Sequence, residues 1–154
     1  MTQAPLRHSF TVDCSVDHAF DMWARRTSLW WPAGHTVTAE PGLEVVFEPR
    51  PGGRIFERTA SGHEEDWGEV LVWEPPGRLA YIWHLRQDRE DATEVEIAFT
   101  PEAGARTRVD IEHRGWERLG DRALERRERN ERGWAGLLPH YVQAIERGAV
   151  PWHT

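Results

Sequence analysis

Residues 68–85 read GEVLVWEPPGRLAYIWHL. Pro75 and Pro76 cannot donate to a strand ladder and Gly77 frees the backbone for reversal, so the stretch reads as two strands joined by a turn. Large apolar side chains stand at both parities. Leu79, Tyr81, Trp83 and Leu85 fall on one side, Ala80, Ile82, His84 and Arg86 on the other, and Val70 and Val72 oppose Leu71 and Trp73. A free-standing hairpin leaves such groups in water, so this one belongs to a larger sheet with a covered face.

The flanking sequence supplies that sheet. Residues 43–48, 53–59, 66–73, 79–86, 93–100 and 107–113 each fit a strand, separated by the turn signals PRPGG, EPPG and PEAGA. Val95, Ile97 and Phe99 alternate with Glu94, Glu96 and Thr100, and Val109 and Ile111 with Arg108, Asp110 and Glu112, which gives one dry face and one wet face. Upstream, His8 to Val12 alternates as a first strand does. Ser15 then opens a helix with Asp17 in its first turn and Val16, Ala19, Phe20 and Trp23 on one face. A second short helix is expected to stop at Trp31, because Pro32 disfavours helical geometry in the residue before it.

After Trp116 the period becomes helical again. Trp134, Leu137, Leu138, Tyr141, Val142 and Ile145 form a buried stripe on a C-terminal helix, which Pro139 is expected to kink. The stretch before it, DRALERRERNER at 121–132, has only Ala123 and Leu124 as apolar side chains, so it reads as a solvated helical turn or a flexible entry.

Composition narrows the classes of function. The chain of 154 residues is 39% apolar and 29% charged, an ordinary globular mix, and is expected to form one domain over 1–154 with its core at 8–147. A formal net charge of −7 speaks against nucleic acid as a partner. All 19 basic residues are Arg, so there is neither a Schiff-base lysine nor a P-loop lysine. The chain shows no apolar run long enough to insert in a membrane, its start lacks the features of a secretory signal, and Cys14 is its only cysteine. A cytoplasmic location, without disulfides or cysteine-based zinc sites, is expected.

Strand, short helices, a meander and one long C-terminal helix is the order of the α+β helix-grip architecture, in which a curved antiparallel sheet wraps around the last helix. Several motifs sharpen this: GGRIFE at 52–57, WGEVLVWEPPGRLAYIW at 67–83, TEVEIAFTP at 93–101, HRGW at 113–116, and GWAGLL at 133–138 followed by Tyr141. Together they resemble the family named after the activator of heat-shock protein 90 ATPase, within the START-like (SRPBCC) superfamily, over residues 8 to 147. The resemblance implies a container for a lipid or small molecule. The eponymous activator also has a separate N-terminal domain that grips its chaperone, for which a chain of this length has no room, so a chaperone partner is the weaker expectation.

The candidate site follows from strand parity and this fold. Trp31, Phe47, Ile55, Tyr81, Trp83, Phe99, Trp134, Leu138 and Tyr141 are expected to face a space between the sheet and the C-terminal helix and to line either a solid core or a cavity for an apolar or aromatic molecule. Glu57, Asp66 and His113 share the inward parity, and Glu57 and His113 join the expected ligand-binding set. An alternative makes the protein an aromatase/cyclase-like enzyme with His113 as acid and base and Glu57 orienting it, because burial and mutual charge would move both pKa values towards neutrality. The same residues also suit a structural ion pair. No metal or cofactor is expected. The run His63 to Asp66 alternates faces, and Cys14 lacks a neighbouring base. The remaining histidines, from His8 to His153, carry no motif.

Finally, outward parity of Leu71, Trp73 and Ile82 on adjacent strands predicts an apolar patch, and with it a homodimer centred on Trp73.

Overall fold

The computed structural model describes residues 4–148; residues 1–3 and 149–154, His153 among them, lie outside. The first strand, β1 (Leu6–Val12), runs into Ser15, whose hydroxyl accepts a hydrogen bond from the His18 N–H at 3.2 Å and so starts α1 (Val16–Ala24). Two single 3₁₀ turns follow, Thr27–Leu29 and Ala33–His35, on either side of Pro32. The chain then forms β2 (Glu44–Phe47), β3 (Arg54–Arg58), β4 (Glu64–Glu74), β5 (Arg78–Trp83), β6 (Thr93–Glu102) and β7 (Arg106–Arg114). A 3₁₀ segment, Trp116–Arg122, leads into the C-terminal helix α2 (Ala123–Gly148).

The strands form one antiparallel sheet in the order β1-β7-β6-β5-β4-β3-β2, curved around α2 as the helix-grip expectation requires. Tyr141 ties the layers together. It is fully buried on α2, its hydroxyl donates to the Ala19 carbonyl of α1 at 2.7 Å, and its ring lies 4.8 Å from that of Trp23 and 5.2 Å from that of Trp30.

Two bulges in β4 correct the parity reading. Ile55 pairs with Gly68 but Phe56 with Asp66, so Trp67 is the extra residue. Val70 pairs with Tyr81 but Val72 with Ala80, so Leu71 is the second. A bulge reverses the facing of every residue beyond it. Asp66 therefore points outward, where it is exposed and ion-paired to Arg54 at 2.7 Å. Trp73 turns inward opposite Leu79 and packs edge-on against Phe20 with ring centres 5.2 Å apart, while Val72 takes the outer face. The outer patch of Leu71, Trp73 and Ile82 is thus not formed, and the homodimer centred on Trp73 loses its basis. Gly68 beside the first bulge is required by close approach, since a Cβ there would lie 2.0 Å from the Ile82 carbonyl oxygen.

Of the charged stretch 121–132, Asp121 and Arg122 end the 3₁₀ segment and residues 123–132 form the start of α2, so it is helical as one of the two expectations has it, but part of the long helix rather than a single turn. The helix is not ended by Pro139, which lies on its exposed side.

Candidate functional site

At one end of the grip, the chain leaving β5, the turn Ala33–His35 and the N-terminal half of α2 enclose a cleft of about 350 Å³. Its floor is apolar. Trp83, half-buried at the end of β5, contributes its ring, and Leu85 lies beside it. Behind Trp83 stand Tyr81, Trp67 and Trp31, with ring centres 5.4, 5.7 and 5.8 Å away, so the platform is held rigidly from the core side. Trp31 also donates its indole N–H to the His35 carbonyl at 2.9 Å, fixing one wall. On α2, Gly133 leaves that side open, since a Cβ there would meet nothing within 4 Å.

The rim is cationic. Arg86 reaches across to the turn and donates Nε and Nη2 to the Thr36 carbonyl at 2.9 and 2.6 Å and Nη2 to that of Gly34 at 2.7 Å. Arg129 pairs with Glu125 one helical turn away at 2.8 Å. Arg126 differs from both, being only 6% exposed. Its Nη2 makes one long bond, 3.4 Å, to the Asp91 carbonyl, and its buried Nη1 has no hydrogen-bond partner among the described residues. Burial lowers the Arg126 pKa, against the pull of Asp91.

His113 and Glu57 are both fully buried on the inner face, as their parity predicts. Each is locked into a separate network. The His113 Nδ1 accepts from the Trp134 indole N–H at 3.0 Å and Nε2 lies 2.6 Å from the Thr93 hydroxyl. An indole nitrogen only donates, so Nδ1 is bare and Nε2 carries the proton of a neutral ring. Burial, and then the charges of Arg126 and His8, push its pKa down to about 3. The Glu57 carboxylate accepts from the Val37 N–H at 2.7 Å, the Thr38 N–H at 2.9 Å, the Thr38 hydroxyl at 2.8 Å and the Trp67 indole at 2.8 Å. Burial alone would raise its pKa, but these donors together hold it below the ordinary carboxylate value. Three strands, β6, β5 and β4, separate β7 from β3, which at about 4.8 Å per step is about 19 Å across the sheet. The acid–base pair of His113 with Glu57 is therefore not assembled. Cys14 is no nucleophile either, as burial and then Asp13 push its thiol up to about 11.

Of the residues that the sequence points to, Trp83 lines the cleft and Trp31 and Tyr81 back it. Phe47, Ile55 and Phe99 are core, Phe47 against Tyr81 with ring centres 5.4 Å apart and Phe99 against Phe20 at the same distance. Trp134 and Tyr141 are engaged in the networks above. Leu138 opens instead on a shallow groove between β1 and α2. That groove, of about 580 Å³, and a hollow of about 450 Å³ on the outer face of β1, β7 and β6 are both larger than the cleft. The arginines of the outer hollow, Arg7 and Arg108, are matched by Glu112 and Asp110 at 3.1 Å each, which leaves no cation there waiting for a ligand. Sequence reasoning missed Arg126 and Asn130. The signal was present, since stepping back from Trp134 by four and by eight residues along the stripe reaches Asn130 and Arg126.

The family described as activator of Hsp90 ATPase homolog 1-like protein matches residues 13–144. The chain belongs to this family. Among solved structures it is similar to an anthrahydroquino-γ-pyrone synthase, Txn09, complexed with SUM, at 36% identity over 80% of this chain and 84% of that one, with a TM-score of 0.57. It is also similar to CalC, a self-sacrificing resistance protein from Micromonospora echinospora, at 25% identity over 97% of this chain and 98% of that one, with a TM-score of 0.71. Protein MLL2253 from Mesorhizobium loti, at 18% identity over 93% and 97% of the two chains and a TM-score of 0.67, shares the fold. No curated protein matches the chain. Among the described residues no helix is long and apolar enough to cross a membrane, and no group of acidic, histidine or cysteine side chains is placed to hold a metal ion.

Proposed function

We propose that the protein binds an apolar or aromatic small molecule in the cleft at the mouth of the grip, with Trp83 as the surface on which it lies. The carrying observation is Trp83 itself, a half-buried indole held by Trp31, Trp67 and Tyr81 and turned to a cleft of about 350 Å³. Such a volume is within the range of small-molecule sites, and a rigid indole surface ringed by polar side chains that can orient a ligand suits an aromatic molecule. The likeness to a synthase named for an anthrahydroquino-γ-pyrone supports a ligand of this kind, and the likeness to a resistance protein agrees with binding as the shared element. Binding without catalysis suffices for this reading, since His113 and Glu57 are both fully occupied by structural hydrogen bonds.

Native mass spectrometry of the freshly purified protein, with untargeted analysis of released compounds, tests the proposal. A co-purifying aromatic compound that Trp83→Ala loses while remaining folded is expected. Equal retention by Trp83→Ala would contradict the site.

A further inference from the structure

The cleft has a charge that the rest of the molecule lacks. The chain carries a formal net charge of −7, yet Arg86, Arg126 and Arg129 line the cleft and no Asp or Glu does. Two of these three have no carboxylate within ion-pairing distance among the described residues. Arg86 is engaged with the carbonyls of Gly34 and Thr36 alone, and Arg126 with the carbonyl of Asp91. Arg86 is thereby satisfied as a strap. Arg126 is not: it is the more buried of the two, and its Nη1 has no acceptor among the described residues.

A buried guanidinium without its full set of acceptors is costly, and folded proteins seldom retain such a group unless a partner completes it. The other polar neighbours leave that place open. His113 is turned to Trp134 and Thr93, Asn130 donates its side-chain amide to the Arg126 carbonyl at 2.9 Å, and Arg129 is drawn to Glu125. Two histidines sense the excess of positive charge. The His35 pKa is lowered by burial and then by Arg86 and His140, and that of His113 by burial and then by Arg126 and His8.

We propose that the aromatic ligand of the cleft carries an anionic oxygen, a carboxylate or a phenolate, and that Arg126 receives it while Trp83 supports the ring. This rests on the cleft being the binding site. A guanidinium offers such an oxygen charge-assisted hydrogen bonds, about twice as strong as neutral ones, in a place from which water is largely excluded. A neutral aromatic of the same shape leaves Arg126 as it is.

Isothermal titration with 2-naphthoate and with its neutral counterpart 2-naphthalenemethanol separates this proposal from the reading on which it rests. The wild type is expected to bind the acid at least about tenfold tighter than the alcohol, a modest demand for one charge-assisted bond. Arg126→Met removes that difference by weakening the acid far more than the alcohol, Arg126→Lys restores part of it, and Trp83→Ala weakens both ligands. Arg129→Met has the smaller effect, since Glu125 already answers that charge. If Arg126→Met does not fold, the wild-type ratio and its decline with added salt decide the point. Equal affinity for acid and alcohol, or a ratio that survives Arg126→Met, overturns the anionic ligand and leaves the cleft standing. Binding of neither compound overturns both.

Discussion

Glu57 and Arg126 are the two ends of one comparison. Both are charged and both are buried by the sheet and its covering layer. Glu57 meets four donors between 2.7 and 2.9 Å, two of them backbone N–H groups of the segment that follows the turn Ala33–His35. Arg126 meets one carbonyl at 3.4 Å and leaves a nitrogen without a partner. The first arrangement returns in hydrogen bonds what burial removes, so it holds the fold together. The second does not, and Arg126 lines the cleft in which binding is proposed.

The comparison predicts opposite responses to removal of charge. Glu57→Ala is expected to destabilise by about 3 kcal/mol or more, because it strands buried donors of Val37, Thr38 and Trp67. Urea unfolding measures this directly, and a change below about 1 kcal/mol would break the structural half of the comparison.

His113 sharpens the contrast, because it stays neutral beside Arg126. In the fold its pKa lies at about 3, against an ordinary value of 6.5. From pH 6.5 downward the unfolded chain takes up a proton that the folded one refuses, so stability falls at a rate that approaches about 1.4 kcal/mol per pH unit and continues towards pH 3. Above pH 6.5 the effect vanishes. Between pH 7 and 5 the Glu57 carboxylate, ordinarily titrating at 4.5 and held lower here, contributes little. His113→Gln is expected to flatten the slope of stability against pH in that window, whatever its effect on stability itself. An unchanged slope would mean that the ring protonates in the fold.

Arg126→Met has the smallest expected effect on stability, within about 1 kcal/mol of the wild type or on the stabilising side, since it exchanges a poorly satisfied buried cation for an apolar side chain of similar length. A loss near that of Glu57→Ala would make Arg126 a structural residue and erase the comparison.

Much of this architecture was legible in the sequence, for particular reasons. Val95, Ile97 and Phe99 alternate without interruption, and the stripe from Trp134 to Ile145 keeps helical spacing, so both the sheet face and the last helix followed from period alone. Trp83 was legible as an inward aromatic for the same reason. Asp66 and Trp73 were misplaced because parity carries no memory of a bulge. Gly68 beside Trp67 hinted at the first bulge, whereas nothing in the types of residue around Leu71 marks the second. Glu57 and His113 had the right facing, but parity does not measure distance along a sheet, and only strand order shows them apart. Arg126 was hidden by its neighbours. In so charged a segment its place on the helical stripe is visible only when the stripe is extended back from Trp134.

The most direct test of the cleft is to watch its floor. The indole N–H signals of the uniformly ¹⁵N-labelled protein, with that of Trp83 assigned through Trp83→Phe, can be followed during titration with 2-naphthoate. The account predicts that the Trp83 signal moves saturably while those of Trp23 and Trp116, buried away from the cleft, stay in place. Saturable shifts confined to other tryptophans, with Trp83 unmoved, would contradict it.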